Sequence, residues 1–243
     1  MNQEMIDKMM LLARPAALIF DLDGTLLDTE PLYTAAAQKV MDPFGATYTM
    51  ALKKLCMGGD ARRSAQLAID HGQLPLSVDD YLTQREVHLL ALFADAPEMP
   101  DAGEFINAIS ETDLPLGLAT SSHRHLMDIK LSKRPWGQHF QQIINGDHPD
   151  LRHGKPAPDI FLMCARALHV EPTQCIAFED SLNGIQAAIK AGMQVIAVNS
   201  PYVDADDLHE AILVIDRYQE LMPLLAAWTQ APNRTTPVAG GPV

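Results

Sequence analysis

The sequence predicts an α/β protein, a parallel sheet flanked by helices with a helical segment inserted near its start, and three observations carry that prediction. Short apolar runs without period-2 alternation recur along the chain, each ending at polar or glycine residues. From residue 103 onward these runs alternate with helical stretches. Between Leu32 and Pro97 helical spacing dominates and no strand run appears. Strands buried on both faces read as continuous apolar runs, and parallel strands need crossover helices, so this alternation implies a parallel sheet.

Taken in order, Ala16–Phe20 is the first predicted strand, stopping abruptly at Asp21. Leu114–Ala119, Gln142–Asn145, Gln174–Phe178, Gln194–Val198 and Ile212–Ile215 are expected as the second to sixth. The interval between the first two is far too long for one crossover, so a helical insertion fills it. Its edges carry turn chemistry, Asp28-Thr29-Glu30-Pro31 going out and Ala96-Pro97-Glu98-Met99-Pro100-Asp101 coming back, and two such linkers can hinge. The expected division is therefore a core of 16–31 and 98–228, an insertion of 32–97, an N-terminal extension of 1–15 and a tail of 229–243. Pro, Gly and Thr in that tail argue against fixed structure.

With 243 residues, 47% hydrophobic and 20% charged, the chain has material for a substantial core. A formal net charge of −13 gives nucleic acid and anionic membranes little to hold, so neither is an expected partner. The same charge obliges any phosphate site to bring its own local positive field. Cys56, Cys164 and Cys175 lack CxxC spacing, which points to reduced thiols in the cytoplasm rather than zinc or disulfides. Asp7, Lys8, Arg14 and Pro15 interrupt the N-terminal apolar residues, so no membrane span or signal peptide is expected. A monomer or weak homo-oligomer is expected.

Asp21-Leu22-Asp23-Gly24-Thr25 puts two carboxylates just past a strand's carboxyl end, where open α/β sheets bind ligands. Both can face one crevice if the chain curls at Gly24. An ordinary Asp-Gly turn is the competing reading. Three further strand or loop ends carry polar groups: Thr120-Ser121-Ser122, Lys155 in His153-Gly154-Lys155-Pro156, and Glu179-Asp180-Ser181. Taken singly, these also fit an N-cap, a solvated loop lysine and an N-capping aspartate.

Residues 18–30, LIFDLDGTLLDTE, resemble the first signature of haloacid dehalogenase superfamily phosphatases nearly position for position, and the other three segments match that family's later motifs in order. The resemblance covers residues 16 to about 226. It is nearest to the group containing pseudouridine-5′-phosphatases, sugar-phosphate phosphatases and β-phosphoglucomutases. It implies a Rossmann-like core with a helical cap, Mg2+ as cofactor and a small phosphorylated metabolite as substrate. By the same resemblance Asp21 is the nucleophile, Asp23 the acid/base, and Lys155 and Thr120 hold the phosphoryl group, with Ser121 adding a donor. Asp21, the carbonyl of Asp23, and Asp180 are then the metal ligands, with Glu179 beside them.

Arg62 and Arg63, near Met57-Gly58-Gly59, are candidates to meet a polar or anionic substrate group. Mutases of this group carry a histidine at the start of the cap, where this chain has Tyr33, which favours hydrolysis over isomerisation. A metal-free dehalogenase fits poorly, because Asp23 and Asp-Gly-Thr mark the phosphotransferases. A phosphate-accepting signalling receiver needs neither Asp23 nor a lid, and a non-catalytic phosphate-binding protein has no need of four intact motifs. Neither GxxxxGK[ST] nor GxGxxG after the first strand is present, so nucleotide-loop readings fail.

Overall fold

Each apolar run becomes a strand, most of them trimmed or shifted by one or two residues: β1 Ala17–Phe20, β2 Leu116–Ala119, β3 Gln142–Ile144, β4 Cys175–Glu179, β5 Gln194–Val198 and β6 Leu213–Ile215. β2 starts later than expected because Pro115 has no N–H for the ladder. The computed structural model describes residues 6, 8, 9, 12–56, 61–201 and 203–230. All six strands pair in parallel in the order β3-β2-β1-β4-β5-β6. The inner strands β1, β2 and β4 are buried throughout, as their uninterrupted apolar sequences require, whereas edge strand β6 exposes Val214.

Alternate side chains feed two layers. Leu18, Phe20, Leu118 and Phe178 pack with Phe105, Tyr218 and Trp228 on one face. Ala17, Ile19, Ala177 and Val195 pack with Ile160, Phe161 and Ile185 on the other. The helices that supply these residues are α5 Ala102–Ser110 and α9 Met222–Gln230, with the 3-10 turn Tyr218–Leu221 before it, on the first face, and α7 Asp159–Ala167 and α8 Leu182–Lys190 on the second; α6 Arg124–Leu131 joins β2 to β3. Phe20 pairs with Phe178 across β1 and β4, and their rings stack at 4.2 Å and 11°. Such a pair contributes about 0.5–1.5 kcal/mol beyond its area, and here it fixes two strand ends in register one residue before Asp21 and Glu179.

Between β1 and β2 lie α1 Glu30–Met41, α2 Met50–Cys56, α3 Ala61–Gly72 and α4 Val78–Phe93. Pro31 opens α1, and Ser77 caps α4 by accepting from the Asp80 N–H at 3.1 Å. These helices bury their own apolar cluster, including Val40, Met41, Leu52, Ala65 and Tyr81. A second cluster, Ala36, Leu89 and Phe93, packs on Leu126 and Ile129 of α6. The incoming and returning linkers run side by side: Asp28 N–H donates to Pro97 O at 2.9 Å and Met99 N–H to Leu26 O at 2.9 Å. Arg134 holds the returning strand of this pair through the carbonyls of Ala94 and Ala96.

Part of the N-terminal extension joins the core, since Met9 and Leu12 are buried and Trp228 Nε1 donates to Leu12 O at 3.2 Å. Thr229 and Gln230, assigned from sequence to an unstructured tail, instead close α9. Residues 231–243 of that tail, like Met57-Gly58-Gly59, lie outside the described residues. Among the described residues no helix is long and apolar enough to cross a membrane.

Candidate active site

The strand order reverses direction between β1 and β4, and ligands of doubly wound sheets bind outside the carboxyl ends of the strands at such a switch. Asp21 follows β1 directly; Glu179 ends β4 and Asp180 comes next. Their carboxylate oxygens lie within 4.8 Å of one another, and all three residues are buried.

Local backbone chemistry makes this approach possible. Gly24 takes a φ of +81°, and a Cβ there would stand 2.0 Å from Asp180 Oδ2, so only glycine lets the β1 loop curl against Asp180. Thr25 Oγ1 then donates to Asp180 Oδ1 at 3.2 Å, and Tyr218 OH holds the Thr25 carbonyl at 3.0 Å. Gly184 does the same service in α8, where a Cβ would meet Glu179 Oε1 at 1.8 Å. Ser181 caps α8 through the Gly184 N–H at 3.1 Å and donates its hydroxyl to Glu179 Oε2 at 3.1 Å.

Lys155, on the loop before α7, places Nζ 2.5 Å from Asp21 Oδ1, 2.5 Å from Glu179 Oε1 and 3.0 Å from the Ala119 carbonyl. One ammonium thus bridges two carboxylates. Burial pushes Asp21 up, Lys155 pulls it down, and Glu179 and Asp23 raise it again, leaving it at about 7. Burial, then Glu179 and Asp21, push Asp180 well above the carboxylate range. Desolvation lowers Lys155, but Asp21 and Glu179 outweigh it, so its ammonium is held more firmly than usual. Buried all-oxygen donors with excess negative charge fit a hard divalent cation of the Mg2+ type.

Asp23 forms a separate arm. Its Oδ1 accepts from Thr29 Oγ1 at 2.7 Å and Lys130 Nζ at 2.5 Å, and its Oδ2 accepts from Ser122 Oγ at 2.7 Å. Burial raises its carboxyl, but the charge and hydrogen bond of Lys130, with Ser122 and Thr29, prevail and hold it below its ordinary value. Thr120 is fully buried at the end of β2, its Oγ1 accepting from the Ser122 N–H at 3.1 Å.

Asp21, Asp23, Thr120, Lys155, Glu179 and Asp180 therefore gather at the carboxyl ends of β1, β2 and β4. Two candidates are placed differently. Ser121 is exposed, and the hydroxyl that enters the cluster belongs to Ser122. Arg62 does not join these groups; it pairs with Asp79 in the first turn of α4 at 2.5 Å, both side chains exposed, because an acidic helix start attracts a neighbouring guanidinium.

Sequence reading missed Lys130, Ser122, Thr29 and Arg85. Lys130 shares the buried face of α6 with Met127, three residues before it, which is the one local signal that its side chain turns inward. Arg85 lies on the interior stripe of α4, four residues after Tyr81 and four before Leu89. Its Nε is buried without a hydrogen-bond partner among the described residues. Burial, then the charge of Asp23, push the Tyr33 phenol well up while Arg85 opposes them.

A doubly wound sheet whose switch point gathers carboxylates round one lysine has its candidate site where α/β proteins of this class bind ligands. Residues 18–198 match the family model of haloacid dehalogenase-like hydrolases, and the chain belongs to that family. It is 34% identical over 209 residues to a probable pseudouridine-5′-phosphatase of Drosophila melanogaster, covering 84% of this chain and 90% of the relative. It is 33% identical over 185 residues to a fructose-1-phosphate phosphatase of Escherichia coli, covering 76% and 97%. Among solved structures, CbbY from Rhodobacter sphaeroides in complex with phosphate superposes with a TM-score of 0.74 at 25% identity, covering 87% and 99% of the two chains. The protein is a phosphatase of this family.

Proposed function

We propose that the chain is a cytoplasmic, Mg2+-dependent phosphatase for a small nucleoside or sugar monophosphate, working through an aspartyl-phosphate on Asp21. The observation that carries this reading is the meeting of Asp21, Lys155, Glu179 and Asp180 at the switch point, with Asp23 in a second hydrogen-bonded arm beside them. Asp21, the Asp23 carbonyl and Asp180, with Glu179 nearby, would hold Mg2+, which when bound would offset the repulsion between the attacking carboxylate and the phosphate.

An Asp21 oxygen attacks phosphorus and the bond from phosphorus to the ester oxygen breaks; Asp23, a carboxylate in the free site, takes up the proton of the substrate's phosphate monoanion on binding and passes it to the leaving oxygen. Asp23, now a carboxylate, takes a proton from water, which attacks the same phosphorus and releases Asp21. Lys155 and Thr120 hold the transferred group, Lys155 countering charge that an acidic protein cannot neutralise by its average field.

Residues 32–97 act as a lid over this core, 16–31 and 98–228, and exclude water when substrate is bound. The paired linkers support that reading, since hydrogen bonds of Asp28 N–H to Pro97 O and Met99 N–H to Leu26 O bring both connections to the core at one place. Arg85 and Tyr33 offer the lid's polar surface to the substrate's alcohol portion. The relatives' names, each a phosphatase of a small ester, support a metabolite rather than a polymer.

The test is phosphate release from a panel of sugar, polyol and nucleoside monophosphates with Mg2+ and with EDTA, beside an isomerisation assay on β-glucose-1-phosphate. Mg2+-dependent release is expected. Isomerisation without net release overturns the hydrolytic reading, and EDTA-resistant release overturns the metal.

A further inference from the structure

We propose that Lys130 is a positioning residue that aims Asp23, an inference that rests on Asp23 being the acid/base of the reaction above. The Lys130 side chain is 0% exposed, and an ammonium is costly to bury where an apolar residue would pack as well. Its described hydrogen bonds run to Asp23 Oδ1 at 2.5 Å and Ser122 Oγ at 2.8 Å. Neither is a contact with Asp21, so Lys130 acts through Asp23.

Three donors from three parts of the fold fix both carboxylate oxygens: Thr29 from the incoming linker, Ser122 from the loop after β2, and Lys130 from α6. A carboxylate bonded on both oxygens cannot rotate freely about its χ2, and proton transfer requires hydrogen-bond reach to the leaving oxygen. A misplacement near 1 Å is enough to cost about a hundredfold. The far side of the ammonium lies against rings of the inserted helices, 4.2 Å from the Phe93 centroid and 5.7 Å from that of Tyr33. Lys130 thus ties the acid/base to the seating of the lid on α6, where Phe93 packs beside Leu126 and Ile129.

Chemistry separates this role from simple structural support. An alkyl phosphate leaves as a basic alkoxide that needs the Asp23 proton, whereas p-nitrophenolate leaves without one. Hydrolysis of the aspartyl-phosphate needs Asp23 as base with either ester.

The experiment uses the full chain with Mg2+, the best alkyl phosphate of the panel and p-nitrophenyl phosphate, under single-turnover and burst conditions. For Lys130→Met, cleavage of the alkyl ester should fall about 100-fold at unchanged KM, while the nitrophenolate burst keeps its rate within about threefold and is followed by slowed turnover. In an Asp23→Asn background Lys130→Met should add nothing, because the two residues form one unit. Ser122→Ala, which keeps the buried charge pair, should reproduce the pattern at about a tenfold loss and decides the matter if Lys130→Met does not fold. Equal losses on both esters, no loss on either, or additivity with Asp23→Asn overturns the proposal. A wild-type protein that turns over neither ester overturns the phosphatase reading itself.

Discussion

The Nζ of Lys155 stands 2.5 Å from Oδ1 of Asp21, in a setting where the two side chains are only 6% and 8% exposed. Removing Lys155 takes away the cation that buried Asp21 and Glu179 share, whereas Lys155 would keep Glu179 if Asp21 were lost. Lys155→Ala should therefore do two things at once: lower kcat by about 10³-fold or more, through loss of charge stabilisation at the transferring phosphoryl group, and destabilise the metal-free protein by about 3–5 kcal/mol. Steady-state kinetics and thermal melts in EDTA check both. A variant that melts like wild type in EDTA contradicts the buried pairing.

Asp21→Asn should separate chemistry from stability in the opposite sense. The amide cannot form an acyl phosphate, so turnover should vanish, while one of three crowded carboxylates loses its charge. Its Tm in EDTA should be no lower than that of wild type. Residual turnover above the assay background, with the variant's identity verified by mass, removes Asp21 as nucleophile.

The raised Asp21 carboxyl makes metal-free stability depend on pH. Its value moves from 3.8 to about 7, so between these limits the folded state binds more protons than the unfolded state. Stability is then greatest below pH 4 as far as this group is concerned, and is lost as pH rises through 7, by an amount on the order of 1–4 kcal/mol. Melts in EDTA should show Tm falling from pH 5 to pH 7.5, and Asp21→Asn should reduce that slope while leaving the part due to Asp180. Added Mg2+ should raise Tm more at pH 7.5 than at pH 5, because it replaces the competing proton.

Much of this was legible in the chain because it is encoded locally. The buried strands announce themselves as Ala17–Phe20 and Cys175–Glu179, apolar runs that stop at carboxylates, and the sheet's parallel order follows from the helices between them. Asp21, Lys155 and Asp180 sit in strings distinctive enough to be matched to a family. The Asp23 arm was not legible, because Lys130 lies 107 residues from Asp23 and an isolated lysine on an amphipathic helix has no spacing that marks it as buried. The partner of Arg62 was not legible for a related reason: sequence shows a cation near a turn, and only the fold shows Asp79 beside it.

Arg85 tests the lid. Its buried Nε has no described partner to lose, so Arg85→Met should leave the fold as stable as wild type or more stable, by about 1 kcal/mol. If the guanidinium meets the substrate's alcohol portion, KM should rise about tenfold with kcat little changed, the signature of lost uniform binding. Unchanged KM across the panel removes Arg85 from the substrate's path.

Gly24 probes the link between backbone and metal. Its φ of +81° costs an alanine about 1–2 kcal/mol, an amount that a core of this size tolerates. The larger effect is steric, since the new Cβ would fall 2.0 Å from Asp180 Oδ2 and 2.9 Å from Oδ1. Either the β1 loop or the Asp180 carboxylate must shift, and both carry groups assigned to the cation. Gly24→Ala should accordingly raise the Mg2+ concentration for half-maximal activity by about tenfold or more, with partial recovery of kcat at high Mg2+. Phosphate release titrated with Mg2+ measures this. A variant that folds and keeps the wild-type Mg2+ dependence would show that Asp180 does not need its present place against Gly24, and the metal would then have to be held by a different set of oxygens.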